Sequence, residues 1–107
     1  MFEQFIESGR RALESIKDWK RIAIKVKEIV HSKYPDARIY VFGSCIEGNF
    51  TAMSDIDILV VRDGIEKDYD LKSEILREVD APLELHFVNE REFREWYLKF
   101  IKKLEEV

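Results

Sequence analysis

Apolar residues recur along the chain in two different periods. At the start they fall at Phe2, Phe5, Ile6, Ala12, Leu13 and Ile16, the spacing of one helix face, with Gly9 as a weak point. Ser15 and Asp18 have the spacing of a capping box, so a second helix is predicted from near Ile16 to about Lys33. It would carry Trp19, Ile22, Ala23, Val26, Ile29 and Val30 on one side, and Pro35 with Asp36 breaks it. The period then drops to two. Residues 38–42 read as a strand, Ser44 to about Gly48 as a short helix, 49–54 as a loop and 55–62 as a second strand. Asp63-Gly64 makes a turn, and a helix follows over 68–79 through Leu71, Ile75, Leu76 and Val79. Pro82 precedes a third strand, 83–88, in which Leu83, Leu85 and Phe87 face one way and Glu84 and His86 the other. Asn89 with Glu92 is spaced to cap a last helix bearing Phe93, Trp96, Tyr97, Phe100, Ile101 and Leu104 on one stripe. The order ααβαβαβα predicts an α/β fold, with helices packed on a small mixed sheet.

A chain of 107 residues makes one domain. The two N-terminal helices take up 1–34, and the core with its C-terminal helix takes up 38–107. At 46% hydrophobic and 37% charged residues the composition is globular. No apolar run is long enough to span a membrane, and the N-terminus has no signal-like apolar core. A single cysteine, Cys45, excludes an internal disulfide framework and suits a cytoplasmic protein. Net charge is −4, unevenly placed: residues 1–40 hold 9 basic and 6 acidic groups, residues 41–107 hold 9 and 16. An acidic balance argues against sequence-independent binding of nucleic acid, which needs clustered Lys and Arg.

The chemistry concentrates in 39–61. Asp55 and Asp57 sit two apart in predicted β structure, so both project from one face, while Ile56, Ile58 and Val60 take the other. Two carboxylates pushed together repel unless a cation lies between them, and a hard divalent ion such as Mg²⁺ is the usual solution. Gly43 and Ser44 end the preceding strand where the backbone can turn tightly and present N–H groups to an anion. A metal next to an anion cradle is what a nucleoside triphosphate requires.

Gly43, Ser44, Gly48, Ser54, Asp55, Asp57 and the following Ile58-Leu59-Val60, with a later strand in PLELHFVNEREFREWY supplying Glu84, form a compound motif. It resembles the polymerase-β-type nucleotidyltransferase superfamily and, within it, the minimal nucleotidyltransferases of prokaryotes, over residues 38–100. The resemblance implies that fold. It implies that Asp55, Asp57 and Glu84 are catalytic and hold one or two Mg²⁺ ions, and that Gly43, Ser44 and Ser54 bind the nucleotide. It further implies attack of a hydroxyl on the α-phosphate of a triphosphate, ATP by preference, with pyrophosphate leaving. Minimal nucleotidyltransferases pair with a small helical protein of the HEPN type, so the resemblance also implies an antitoxin that attaches AMP to a tyrosine of that toxin. One alternative is a binding module that neutralises its partner by contact. Another is transfer to a small molecule or a nucleic-acid end. Glu47 departs from the family pattern, which commonly has a basic residue there, and a glutamate repels phosphate.

The remaining residues have plainer readings. His86 shares the acidic face and reads as a hydrogen-bonded structural histidine. His31 suits the negative end of a helix as a surface residue. Cys45 has no base partner and reads as a small semi-buried side chain. The last helix's aromatic stripe reads as core, with part of it open to a partner or a second copy.

Overall fold

The computed structural model describes residues 2–107; the Phe2 side chain, assigned above to the first apolar stripe, lies outside the description. In chain order come α1 (Phe2–Lys17), α2 (Trp19–Lys33), β1 (Arg38–Phe42), α3 (Ser44–Glu47) and β2 (Ile56–Val61). A 3₁₀ turn (Ile65–Lys67), α4 (Tyr69–Glu78) and β3 (Leu83–Val88) follow, then a helix over 90–100 (α5) and β4 (Leu104–Glu106). The sheet runs β3-β2-β1-β4. β1 is antiparallel to both of its neighbours, whereas β2 and β3 are parallel. A mixed sheet with helices packed on it is the expected α/β architecture.

β2 is the strand that the layers close on. Its sequence IDILVV is apolar at all positions but one, as a strand covered on both faces should be. Ile56, Ile58 and Val60 join Ile39, Val41 and Leu85 against Ile16, Ala23, Val26 and Val30 of the first two helices and Leu71 and Ile75 of α4. Leu59 and Val61 point the other way, with Val88, and are closed over by Phe93 of α5. Complete burial of each such Ile, Leu or Val stabilises by about 1.5–3 kcal/mol. Among the described residues no helix is long and apolar enough to cross a membrane.

Four local expectations change. Asp18 occupies the N-cap of α2 and makes no side-chain cap bond, because its carboxylate is taken by Arg21 (2.5 Å). α1 continues through Lys17, so Ser15 caps nothing and α2 starts at Trp19 rather than near Ile16. Only the C-terminal end of α1 reaches the core: Ile16 is buried, while Phe5 and Ile6 on the predicted stripe are exposed. His31 is half-buried, with Nε2 2.8 Å from the Ala37 carbonyl oxygen, and so ties the end of α2 to the start of β1.

The fourth change is at the C-terminal helix. The Asn89–Glu92 capping box forms, but the helix is π-helical across Phe93–Tyr97. That wider turn keeps Phe93 and Tyr97 over the sheet and carries Trp96 off it, 62% exposed and packed at a tilt against Phe100 (4.6 Å between centroids). Leu104, predicted on the helical stripe, lies instead in β4, directly opposite Phe42. The open edge of β1 offers backbone groups that these residues satisfy, and that outweighs the helical spacing.

α4 is anchored at its start by Asp68, whose side chain is only 9% exposed. Its Oδ1 accepts the Leu71 N–H (3.0 Å), and Oδ2 accepts the Tyr34 hydroxyl (2.5 Å) and pairs with Lys33 Nζ (2.6 Å). The Lys33 ammonium first, and the Tyr34 hydroxyl next, lower the Asp68 pKa to about 2. A depressed carboxylate pKa stabilises the fold above its unfolded value of 3.8, and the contribution disappears as pH falls toward 2. Asp68→Ala should cost about 2 kcal/mol at pH 7, from the lost cap and charge-assisted bonds. Urea unfolding should show the gap between variant and wild type closing between pH 4 and pH 2; a gap independent of pH would contradict this role.

Candidate active site

Asp57 is the one polar residue of β2, and it sits near the strand's first end, where the second apolar layer has not yet begun. It faces Phe42 on β1 and, across the parallel ladder, Glu84 on β3. Register partners carry their side chains on the same face, so the two carboxylates are held side by side. The Asp57 carboxyl within hydrogen-bond reach, then burial, then the Asp57 charge, raise the Glu84 pKa; the Asp55 charge adds to this and His86 opposes it. The sheet thus holds two acids closer together than their charges favour.

Gly43 completes this corner. With φ 85° and ψ −161° it adopts a backbone conformation open almost only to glycine, and a Cβ there would collide with the Asp57 carboxylate. The chain then turns into α3, where the Ile46 and Glu47 N–H groups bond back to the Gly43 carbonyl. The N–H groups of Ser44 and Cys45 precede any intrahelical bond. Ser54 closes the next loop, its Oγ accepting the Thr51 N–H (2.9 Å). Asp55 follows, exposed and just outside β2, which begins at Ile56 where that N–H reaches the Pro82 carbonyl (2.7 Å). Glu47 is exposed, pointing its charge outward.

His86 is brought to the same cluster. Asp57, Glu84 and His86 each offer a ligand atom within 4.8 Å of the others, while Asp55 stands outside that set. The His86 ring sits against Phe42 (5.1 Å between centroids) and edge-on to Tyr97 (5.9 Å), whose hydroxyl is 3.4 Å from Nδ1. Nε2 is buried and has no hydrogen-bond partner among the described residues, in contrast to the satisfied structural histidine expected from sequence. It lies 3.5 Å from Asp57 Oδ1 and 3.8 Å from Glu84 Oε1. Two crowded carboxylates and an unpartnered ring nitrogen are a donor set that fits a divalent cation.

The alternating pattern of 83–88 was enough to put His86 on the acidic face. Tyr97 was missed, because helical spacing assigned it to an apolar stripe and gave no hint of a neighbour on β3. Cys45 is buried, and that burial first, with the Asp57 charge next, pushes its thiol pKa up, which disfavours the nucleophilic thiolate. A groove of about 710 Å³ lined by Trp19, Ile24, Lys27 and Glu105 contains none of Asp55, Asp57 and Glu84. The site is therefore assigned by side-chain chemistry and not by concavity.

The family model described as nucleotidyltransferase domain matches residues 23–106. A crystal structure of a protein provisionally assigned as a nucleotidyltransferase is 30% identical, with a TM-score of 0.58, covering 78% of this chain and 94% of that one. Another, from Sulfolobus solfataricus and likewise provisionally assigned, is 28% identical, with a TM-score of 0.57, covering 94% of this chain and 83% of that one. No curated protein matches the chain. The family match takes in all four strands and both acids of the register pair, and the chain belongs to the nucleotidyltransferase domain family.

Proposed function

We propose that the protein is a divalent-cation-dependent nucleotidyltransferase that moves AMP from ATP to a hydroxyl. The observation that carries this reading is the pairing of Asp57 with Glu84 across parallel strands, against a glycine that a side chain would push into Asp57. Asp55, Asp57 and Glu84 are the catalytic acids and the ligands of the divalent ion; Gly43, Ser44 and Ser54 hold the nucleotide. Bound there, the ion neutralises phosphate charge and favours ionisation of the acceptor hydroxyl.

The chain's own groups supply the rest. The N–H groups at the start of α3 and the Ser44 hydroxyl orient the β- and γ-phosphates. Glu84, held beside Asp57 on the neighbouring strand, takes the acceptor's proton. The hydroxyl oxygen bonds to the α-phosphorus as the bond to pyrophosphate breaks. Resemblance to the minimal nucleotidyltransferases extends the reading to a tyrosine of a HEPN-type partner as acceptor, with this chain as antitoxin.

A second reading, neutralisation by contact alone, is favoured by one observation. Trp96 and Phe100, on the outer side of α5, form a tilted aromatic pair, each more than 60% exposed.

Two substitutions separate these readings. With α-labelled ATP, Mg²⁺ and a HEPN-type partner, wild type should label the partner, and Asp57→Asn should reduce labelling at least 100-fold and abolish neutralisation. Neutralisation that survives Asp57→Asn but is lost in Trp96→Ala would establish the contact reading. Gly43→Ala should lower stability by about 1–3 kcal/mol through backbone strain and eliminate ATP binding while melting stays cooperative. ATP affinity equal to wild type in that variant would remove Gly43 from the nucleotide site.

A further inference from the structure

His86 has a feature that the proposed transfer leaves without a role. Its Nε2 is buried beside two carboxylates and bonds to neither, a costly position for a polar atom. The ring cannot simply be swung away, since Phe42 and Tyr97 pack against it. We infer that His86 Nε2 is a metal ligand, completing with Asp57 and Glu84 a two-carboxylate, one-imidazole set that takes a first-row transition cation in preference to Mg²⁺. The inference rests on the metal reading of Asp57 and Glu84 above and adds the nature of the ion.

Three observations support it. The ligand atoms of all three residues already lie within 4.8 Å of one another, before any side chain moves. Imidazole suits Co²⁺, Ni²⁺ or Zn²⁺ far better than Mg²⁺, which prefers oxygen and keeps its water. Histidines that bind metal usually give their other ring N–H to an oxygen, which fixes the tautomer. Here that oxygen is Tyr97 Oη, 3.4 Å from Nδ1. With Nδ1–H donating to it, the Nε2 lone pair faces Asp57 and Glu84. Two carboxylates and a lone pair turned toward one another repel, and a cation among them converts all three contacts to attraction. Tyr97 is thus a positioning residue.

The test is cation binding to the full chain without nucleotide, followed by titration calorimetry with Co²⁺ and with Mg²⁺. Wild type should bind Co²⁺ at least tenfold more tightly than Mg²⁺. His86→Gln should weaken Co²⁺ binding at least tenfold and leave Mg²⁺ binding within about twofold. Equal Co²⁺ affinity in His86→Gln and wild type would overturn the inference, as would an equal loss for both ions. Asp57→Asn distinguishes the two layers of the argument: if it leaves both ions bound as in wild type, the underlying metal reading fails as well. Imidazole ¹⁵N spectra of wild type titrated with Zn²⁺ give a check that needs no variant. The His86 Nε2 resonance should shift on saturation, and an unshifted resonance would exclude it as a ligand.

Discussion

Two like charges held side by side are the constraint on which the rest of this structure turns. Asp57 and Glu84 are register partners in a parallel strand pair, and the pairing is set by apolar positions on either side of them. Slipping β3 by one residue would turn Glu84 and His86 into the core and expose Leu85, so the register that buries the sheet also forces the acids together. The magnitudes explain why this is tolerated. Each buried aliphatic of β2 contributes about 1.5–3 kcal/mol, whereas two partly solvated charges a few ångströms apart repel by about 1–4 kcal/mol. Five buried residues on one strand outweigh one crowded corner.

The same strand explains where the corner is. β2 is covered on one face by α1, α2 and α4 and on the other by α5, but the second cover stops short of Asp57. The acids occupy the end of the sheet that α5 leaves open. Tyr97 and Phe42 border that opening and set the His86 ring beside the carboxylates. The glycine at 43 belongs to the same arrangement: the turn out of β1 passes so close to Asp57 that no side chain fits between.

Much of this could be read in the sequence, for physical reasons that are specific to each element. The strands 38–42 and 83–88 are bounded by breakers and alternate cleanly, and they end where predicted. Gly43-Ser44 and the D-x-D carry the site motif because their spacing reflects one turn and one loop. What stayed hidden depended on contacts between distant segments. β4 is three residues long and exists only because β1 has a free edge, so helical spacing was the stronger local signal through Leu104. The π-helical turn at Phe93–Tyr97 has no residue pattern of its own, and it decides which aromatics are buried. Asp55 and Asp57 look equivalent by alternation, yet the strand begins between them. Asp57 joins Glu84 and His86, while Asp55 remains exposed at the loop end. The partnerless Nε2 of His86 is a matter of ångströms and cannot be read from spacing.

The most direct measurement is a crystal structure of the chain grown with Mn²⁺ and an ATP analogue carrying a methylene between its α- and β-phosphates, with anomalous scattering to locate the metal. The account predicts an anomalous peak between the Asp57 and Glu84 carboxylates, with the triphosphate against the Gly43-Ser44 turn. A nucleotide bound elsewhere, or a peak away from both acids, would contradict it.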